Sequence, residues 1–325
     1  MRAISAWHCT YAALTALIAL TALAAHATYP EKPLRFVVGL APGGGVDFTA
    51  RTLAARLAVS MGQAVVVDNR AGAGGSIAAG IVARSAADGY TLLLGSRSNF
   101  VMDALLNKNL GYDPRRDLAP VTLATSQSMV LIVHPSVPAK SVAELIALAK
   151  TQPGKLSYAS GGNGTGTHLA GELFARLAGI QMLHVPYKGG SQSMVDLIAG
   201  QINLIFQSLP TAAPHIKAGR IRALAVTTAR RAAMLPELPT IAESGLSGYE
   251  ADNWYGIAVA AHTVPAVLQT LNREIVALLK NPDVRQALLA QGLEPAPGTA
   301  DAFAALIRAD FARWGKLVTD IGLAP

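Results

Sequence analysis

The sequence predicts an α/β protein of two lobes with a cleft between them, and three observations predict it. First, Leu34 to Arg51 reads as a buried strand, a glycine-rich turn and a helix. Second, strand and glycine-rich turn return at 71–75 and at 160–168. Third, a polar, proline-punctuated segment, 230–250, precedes a last apolar strand and helices. Such units form parallel sheets whose turns lie at the carboxyl ends of the strands.

The periodicity of apolar residues gives the elements in order. Apolar, partly β-branched runs predict strands at 34–39, 64–68, 90–95, 129–134, 156–159, 182–186, 202–206, 221–227 and 256–260. Helical spacing predicts helices at 48–59, 76–87, 141–150, 169–178, 191–199, 210–218, 265–279, 282–291 and 299–319. Ser141 and Glu144 predict a capping box at the start of one helix. In the last helix the spacing predicts core positions at Phe303, Leu306, Ile307, Phe311 and Trp314.

Composition limits the class of protein. Of the 325 residues, 51% are hydrophobic and 14% are charged, which excludes a disordered chain. The formal net charge is +7, but the basic residues are scattered and do not alternate with aromatic residues. We therefore expect no nucleic-acid partner.

Residues 1–27 read as a secretory signal peptide. Arg2 supplies the positive end, an apolar run extends from Tyr11 to Ala25, and Ala25-His26-Ala27 is a small-residue cleavage site. A membrane anchor is the alternative, but the run is short for a span. The predicted cleavage after Ala27 removes Cys9, the only cysteine, so the mature chain has no disulfide. We expect export to the periplasm.

The first two glycine-rich turns predict an anion site. Each turn leads into a helix, where free backbone N–H groups and the helix dipole favour a carboxylate or phosphate. Asp47 reads as a helix N-cap rather than a ligand contact, because a bound anion would repel it. The segment Ser96-Arg97-Ser98-Asn99 follows the third strand and should border the same crevice. The candidate contacts here are Ala41, Pro42, Gly43, Gly44, Gly45, Asp47, Ala71, Gly72, Ala73, Gly74, Gly75 and Ser96.

The second half of the chain supplies the opposite wall. Its glycine-rich loop at 160–168 carries hydroxyls at Thr165 and Thr167, which either cap the following helix or donate to a ligand. His168 begins that helix and reads as a structural donor. The candidate contacts on this side are Thr165, Gly166, Thr167, His168, Tyr187, Gly189, Gly190 and Gln207.

Two crossings between the lobes predict a hinge. The chain passes to the second lobe near 124–128 and returns near 250–254. The predicted division is a signal peptide at 1–27, lobe I at 28–127 and 252–325, and lobe II at 128–251. A cleft with glycine-rich turns on both sides of a hinge is typical of a clamshell receptor.

Taken together, the motifs resemble the Bug/TctC family, the periplasmic solute-binding receptors of tripartite tricarboxylate transporters. The resemblance covers essentially the whole mature chain and is carried by short segments. These are Pro42 to Gly45 with Asp47, Asn69 to Gly75, Asp88 to Leu92, Gly162 to Thr165, His168 to Glu172, His184 to Gly189, Pro214 to Gly219 and Pro239 to Gly245.

The resemblance implies both fold and function. The implied fold is the two-lobed periplasmic-binding-protein (Venus flytrap) fold, with a small organic carboxylate held by backbone amides of the first two turns and ordered water. The implied protein is a receptor that delivers its ligand to membrane transporter subunits through transient contacts, and we expect a monomer. Many members have an acidic residue where this chain has Gln207, which disfavours amino-acid ligands.

Several readings stay open at this point. Arg97 and Phe100 either contact a second carboxylate or an aromatic ring, or serve in packing, and Lys188 is either a solvated charge or steers anions. An alternative function is a ligand-sensing partner of a membrane signalling protein. An α/β hydrolase-type enzyme is disfavoured, because Ser76 caps a helix equally well and no carboxylate pair converges on the turns. The seven histidines lack metal-site spacing, so we expect no metal. We also expect no cofactor and no catalysis.

Overall fold

The structure is a computed structural model that describes residues 29–40, 42–187, 190–320 and 322–323. The predicted signal peptide, its cleavage point and Cys9 lie outside the described residues. The predicted contacts Ala41 and Gly189 and the undecided Lys188 also lie outside them. Among the residues described, no helix combines the length and the apolar character needed to cross a bilayer.

The first sheet has six strands, and its order explains why the two glycine-rich turns meet. The strands are β1 (Leu34–Val38), β2 (Val65–Asn69), β3 (Thr91–Ser96), β4 (Leu118–Gln127), β10 (Asn253–Ala260) and β11 (Leu293–Pro295), in the order β11-β4-β10-β3-β1-β2. Strand β1 pairs in parallel with β2 and with β3. The turns that follow β1 and β2 therefore leave the same edge of the sheet, as predicted.

The second sheet has five strands, formed from the middle of the chain. They are β5 (Met129–Val133), β6 (Ser157–Ser160), β7 (Leu183–Pro186), β8 (Leu204–Ser208) and β9 (Arg222–Val226), in the order β7-β6-β8-β5-β9. Strand β6 is parallel to β7 and β8, whereas β5 is antiparallel to β8 and β9. Two separate sheets with helices confirm the predicted two-lobed α/β fold.

Helices cover both sheets and begin close to the predicted positions. They are α1 (Gly45–Met61), α2 (Ser76–Ala83), α3 (Asp103–Leu106), α4 (Pro114–Asp117), α5 (Val142–Thr151), α6 (Gly166–Ala178), α7 (Gly190–Ile198), α8 (Leu209–Lys217), α9 (Pro265–Lys280), α10 (Pro282–Leu289) and α11 (Ala300–Asp320). A 3₁₀ turn, Ala73–Gly75, precedes α2, and a π-helical segment, Ser98–Met102, precedes α3. The predicted helix at 76–87 is shorter than expected, because it ends at Ala83.

Two helix starts test the capping predictions. The Oγ of Ser141 accepts a hydrogen bond from the backbone N–H of Glu144 (3.2 Å), which confirms Ser141 as a cap. The carboxylate of Glu144 reaches back to the N–H of Lys140 (2.8 Å) rather than that of Ser141. The prediction that Asp47 is an N-cap is wrong, because α1 begins one turn earlier and its N-cap is Gly44.

Strand β4 was not predicted, and its sequence shows why. Pro120, Thr122 and Thr125 interrupt the apolar alternation that marks a strand. Strand β4 nevertheless pairs along its whole length with β10, with irregularities in register that accommodate the proline. The strand ends at Gln127, and β5 begins only two residues later at Met129. The chain thus passes from one sheet to the other almost without a loop.

Helix α11 packs against the core near the two points where the chain crosses between the sheets. Phe303, Ile307 and Trp314 are buried, and Leu306 and Phe311 pack partly buried against the same cluster, which confirms the predicted core face. That cluster is continuous across both sheets, since it also contains apolar residues of β1, β3, β5 and β8. The two lobes therefore share part of their core.

Arg97 is held in a buried ionic network rather than presented to solvent. Its Nε donates to the carboxylate of Asp310 (2.7 Å), and its terminal nitrogens donate to the backbone and side chain of Asp252. The indole N–H of Trp254 donates to the same Asp310 oxygen (2.8 Å). The network ties the end of β3 to α11 and to the segment that returns from the second sheet.

Replacing Arg97 should show how much this network contributes to the stability of the protein. In Arg97→Met, the carboxylate of Asp310 stays buried without its charged partner, so the free energy of unfolding should fall by about 3–5 kcal/mol. Urea denaturation measures the loss. The matched control, Arg116→Ala, removes a guanidinium that is 77% exposed in its ion pair and should cost less than about 1 kcal/mol. Equal losses in the two variants would contradict the structural role of Arg97.

Candidate functional site: the interlobe cleft

A cavity of about 420 Å³ lies between the two sheets. Its volume falls in the range of small-molecule sites. Residues from both lobes form its walls. They are Leu40, Gly44, Gly45, Gly74, Ser96, Ser98, Gln127, Asn253 and Tyr255 from the first sheet and its turns, and Met129, Gly161, Thr165, Gly166, Thr167, Gln207, Ser208 and Thr211 from the second.

The first glycine-rich turn presents only part of its backbone to this cavity. Gly44 and Gly45 line it at the start of α1, where the first N–H groups of a helix have no intrahelical partner. The N–H of Gly43 instead donates to the Oδ2 of Asp47 (3.0 Å). The turn therefore offers its N–H groups from Gly44 onwards, and Gly43 serves the shape of the turn.

Asp47 is fully engaged inside the protein. Besides Gly43, its carboxylate accepts hydrogen bonds from Arg51 Nε and Asn69 Nδ2, both at 3.0 Å. Burial alone would raise the pKa of Asp47, but the hydrogen bonds from Arg51, Gly43 and Asn69 hold it below its ordinary value. Asp47 is therefore an anion that fixes the first turn and does not line the cavity.

The first two glycine-rich turns pack directly against each other. A Cβ at Gly39 would lie 2.6 Å from the Cα of Gly75. A Cβ at Gly75, whose φ is +100°, would lie 2.6 Å from the Nδ2 of Asn99. The buried Asn99 side chain accepts from the N–H of Ser96 (3.0 Å) and donates to the carbonyl of Gly74 (3.3 Å). Asn99 thus joins the end of β3 to the second turn.

The third loop is held by its own hydroxyls. Thr165 is the N-cap of α6, and its Oγ1 donates to the carbonyl of Gly162 (2.7 Å). The Oγ1 of Thr167 accepts from the N–H of Gly161 (2.9 Å) and lies 3.0 Å from the Oγ1 of Thr165. These contacts show capping by Thr165 while both threonines still line the cavity. Gly166, the first residue of α6, thus lines the same cavity as Gly44, Gly45 and Gly74 of the other lobe.

His168 supports this loop from behind. Its Nδ1 accepts a hydrogen bond from the N–H of Gly164 (3.0 Å), so it is an acceptor there and not the donor that was expected. Its ring stacks on His184 with centroids 4.0 Å apart, and its Nε2 lies 3.7 Å from Glu172. Burial, with a contribution from His184, lowers the pKa of His168 to about 4. The ring is therefore neutral near pH 7, as an Nδ1 acceptor requires.

The floor of the cleft is formed where β3 and β4 end beside the start of the antiparallel strand β10. Asn253 is paired with Gln127 in the β10–β4 register, and Tyr255 is paired with Ser96 in the β10–β3 register. The hydroxyl of Tyr255 donates to the Oε1 of Gln127 (3.0 Å). This floor joins the two glycine-rich turns to the crossing at Gln127.

The predicted contact residues divide into two groups in the structure. Those that line the cavity are Gly44, Gly45, Gly74, Ser96, Thr165, Gly166, Thr167 and Gln207. Those that do not are Pro42, Gly43, Asp47, Ala71, Gly72, Ala73, Gly75, His168 and Tyr187. Several members of the second group shape the turns, and the hydroxyl of Tyr187 donates to Asp196 (2.6 Å). Gly190 is the first residue of α7.

Sequence reasoning missed most of the side-chain lining. The missed residues are Leu40, Gln127, Met129, Gly161, Ser208, Thr211, Asn253 and Tyr255, whereas Ser98, which was expected to border the crevice, lines it. Gln127 and Met129 flank the unpredicted end of β4. Asn253 and Tyr255 carried a usable signal, because polar residues precede an apolar strand at the second predicted crossing.

The described lining carries no Asp, Glu, Lys or Arg side chain. Arg97 is committed to its buried network, and Phe100 packs against Trp254 and Phe303 in the core. The alternatives left open for these two residues therefore resolve to packing. Over the same described residues, no group of three or more His, Cys, Asp or Glu side chains is placed to hold a metal.

The family follows from a comparison with known protein families. The family model described as "Tripartite tricarboxylate transporter family receptor", TctC, matches residues 49–323. The chain belongs to the TctC receptor family. The resemblance read from the motifs is thereby confirmed, and the family is one of receptors.

Relatives and solved structures agree with this assignment. Protein BugT of Bordetella pertussis is 38% identical over 296 residues, which cover 91% of this chain and 91% of BugT. Rpa4515 of R. palustris, solved with adipate, is 38% identical with a TM-score of 0.82, covering 91% of this TctC-family chain and 99% of that one. MatC of Rhodopseudomonas palustris, solved with bound malate, is 28% identical with a TM-score of 0.77, covering 89% and 100%.

The close packing of the turns can be tested with one methyl group. In Gly39→Ala, the added Cβ meets the backbone of Gly75 at 2.6 Å, so the turns must separate at a cost of about 1–3 kcal/mol. Ligand binding in the cleft, measured by calorimetry, should weaken by about tenfold or more. Gly298→Ala is the control, because its nearest neighbour would be 3.8 Å away. A Gly39→Ala protein that binds like the control would contradict the packing argument.

Because His168 is buried, we expect the protein to lose stability in acid. Because the pKa of His168 falls from an ordinary 6.5 to about 4, the unfolded chain takes up the proton first. The stability this group supports is complete above pH 6.5 and declines towards pH 4, by about 1–2 kcal/mol after solvent screening. Urea denaturation across this range measures it. In His168→Asn, whose amide oxygen replaces the acceptor, this part of the decline should vanish, and parallel declines would contradict the assignment.

Proposed function

We propose that the protein is an extracytoplasmic receptor that captures a small carboxylate-bearing ligand in the interlobe cleft. We further propose that it delivers the ligand to a tripartite tricarboxylate-type membrane transporter. The observation that carries the proposal is the convergence of two helix starts, those of α1 and α6, and of the 3₁₀ turn before α2 on one cavity without charged side chains in its described lining.

The chemistry of the cavity favours an anion bound by dipoles. Gly44 and Gly45 at the start of α1, Gly74 before α2, and Gly166 at the start of α6 bring backbone N–H groups to the cavity wall. A carboxylate with two oxygens can accept from N–H groups of more than one turn. The adipate and malate in the two structures of relatives are both dicarboxylates, and they support carboxylate binding here.

The lining residues of the second lobe limit which acids can bind in the cleft. Gln207, Ser208 and Thr211, which line this wall, are neutral. An ammonium group would lack a countercharge among the described lining residues, which argues against amino-acid ligands. We propose that the ligand is an acid with a neutral or acidic remainder.

The proposal extends to where and how the receptor works. A signal peptide at 1–27 would direct it to the periplasm, where it would act as a monomer without turnover. Lobe I, at 28–127 and 252–325, and lobe II, at 128–251, would close on the ligand by rotation at the two crossings. Membership of a transporter receptor family supports delivery to membrane subunits through transient contacts.

A thermal-shift screen of the mature chain tests this function. The panel contains dicarboxylates, tricarboxylates, aromatic acids and amino acids, with the amide of each acid as its control. An acid at 100 times its dissociation constant should add about 2.7 kcal/mol to the free energy of unfolding. We expect a shift with one class of acids that disappears with the amides. A folded protein that no acid stabilises, or equal shifts with acids and amides, would contradict the proposal.

A further inference from the structure

We propose that Gln127 is the side chain that selects the ligand at the floor of the cleft, and that Tyr255 is its positioning residue. The inference rests on the proposed function and deepens it, because it names the chemical group that the cleft requires beside the first glycine-rich turn. That group is a hydrogen-bond acceptor.

The geometry of Gln127 leaves one polar group for a ligand. Its side chain lines the cavity, although the residue is only 7% exposed. The Oε1 accepts from the hydroxyl of Tyr255 (3.0 Å). Over the described part of the chain, the Nε2 has no hydrogen-bond partner, and it is not among the atoms sealed from solvent. Its two N–H donors therefore face the cavity, where a ligand can satisfy them.

Tyr255 fixes which end of the amide faces the ligand. It lies on β10 between β3 and β4, which pair with it on either side. Burial raises the pKa of its hydroxyl, which therefore stays protonated and donates to the Oε1 of Gln127. With the Oε1 turned towards Tyr255, the Nε2 is turned towards the cleft. Phe at this position would leave the amide free to rotate.

The pair lies directly under the first glycine-rich turn. A Cβ at Gly45 would be only 3.0 Å from the hydroxyl oxygen of Tyr255. A carboxylate held by the N–H groups at the start of α1 is thus within reach of the amide of Gln127. Asn253, paired with Gln127 across the strands, adds a second neutral amide whose Oδ1 is taken by the N–H of Trp254 (3.0 Å).

The floor of the cleft therefore distinguishes ligand groups that accept hydrogen bonds from groups that donate them. An oxygen of the carboxylate, or an oxo or hydroxyl oxygen next to it, accepts from the Nε2 of Gln127. An ammonium in the same place would set N–H against N–H and leave buried donors unsatisfied. The ligand class is therefore an acid with oxygen acceptors at this end and no amino group there.

The first experiment is a double-mutant cycle on the mature protein. Calorimetry measures succinate, malate and adipate separately, and the acid with the highest affinity for the wild-type protein is used for the variants. Gln127→Met, which keeps the length but removes the donor, should weaken binding by about 5–30-fold. Tyr255→Phe should weaken it by about 2–5-fold in the wild-type background and by nothing further in Gln127→Met. This non-additivity separates positioning from a general structural effect, which would add.

The second experiment reverses the polarity of the floor. Gln127→Glu places an acceptor opposite an acceptor, so malate binding should fall further than in Gln127→Met, while aspartate should gain about tenfold relative to malate. Gln269→Glu makes the same charge change on the exposed face of α9 and should leave the ratio of the two affinities unchanged. Melting temperatures identify variants that fail to fold.

The outcomes separate the two proposals. Binding of an acid by folded Gln127→Met within twofold of the wild type overturns the role of Gln127. Additive losses in the cycle overturn the positioning role of Tyr255, and an unchanged aspartate-to-malate ratio in Gln127→Glu overturns the selection. If the wild-type protein binds no acid of the thermal-shift panel, the proposed function fails and this inference fails with it.

Discussion

The pairing of β4 with β10 is the constraint on which the rest of the structure depends. These two strands carry the chain out of the first sheet and back into it, and Gln127 lies opposite Asn253 where both crossings occur. One antiparallel pair therefore sets the position of the second lobe, and the ends of its strands form the floor of the cleft. Arg97 reinforces the return crossing, since it joins Asp252 to Asp310 on the C-terminal helix.

Some polar groups of the cleft hold its loops in shape, and others are free to bind a ligand. Gly43, Gly161 and Gly164 donate their N–H groups to side chains of their own loops, so these glycines hold the loops in place. Within the described part of the chain, the N–H groups of Gly44, Gly45 and Gly166 have no such partner and remain for a ligand, whereas the N–H of His168 in α6 is bonded to the Oγ1 of Thr165. Charged side chains act behind the walls, as Asp47 does under the first turn. A receptor built this way binds an anion through fixed dipoles and avoids the desolvation of a buried ion pair.

The parts of the fold that follow from local signals were predictable from the sequence. Apolar runs and glycine-rich turns gave the parallel strands, and parallel pairing of β1 with β2 brought the turns together. Strand β4 was not predictable in the same way, because Pro120 and Thr122 break its pattern and only pairing with β10 makes it a strand. The floor residue Gln127 was missed for the same reason, and the polar residues before β10 marked the position of Tyr255 but not its contact with Gln127. Their roles arise from contacts between positions 128 residues apart, which no local pattern records.

The central claim, that free backbone N–H groups of the turns bind a carboxylate, is tested most directly by amide NMR. The mature protein would be labelled with ¹⁵N-glycine and titrated with the dicarboxylate that gives the largest thermal shift. The account predicts large shifts for the amides of Gly44, Gly45, Gly74 and Gly166, and small ones for Gly43 and Gly164, whose N–H groups are already bonded. Saturable binding that leaves the first four amides unmoved would contradict it.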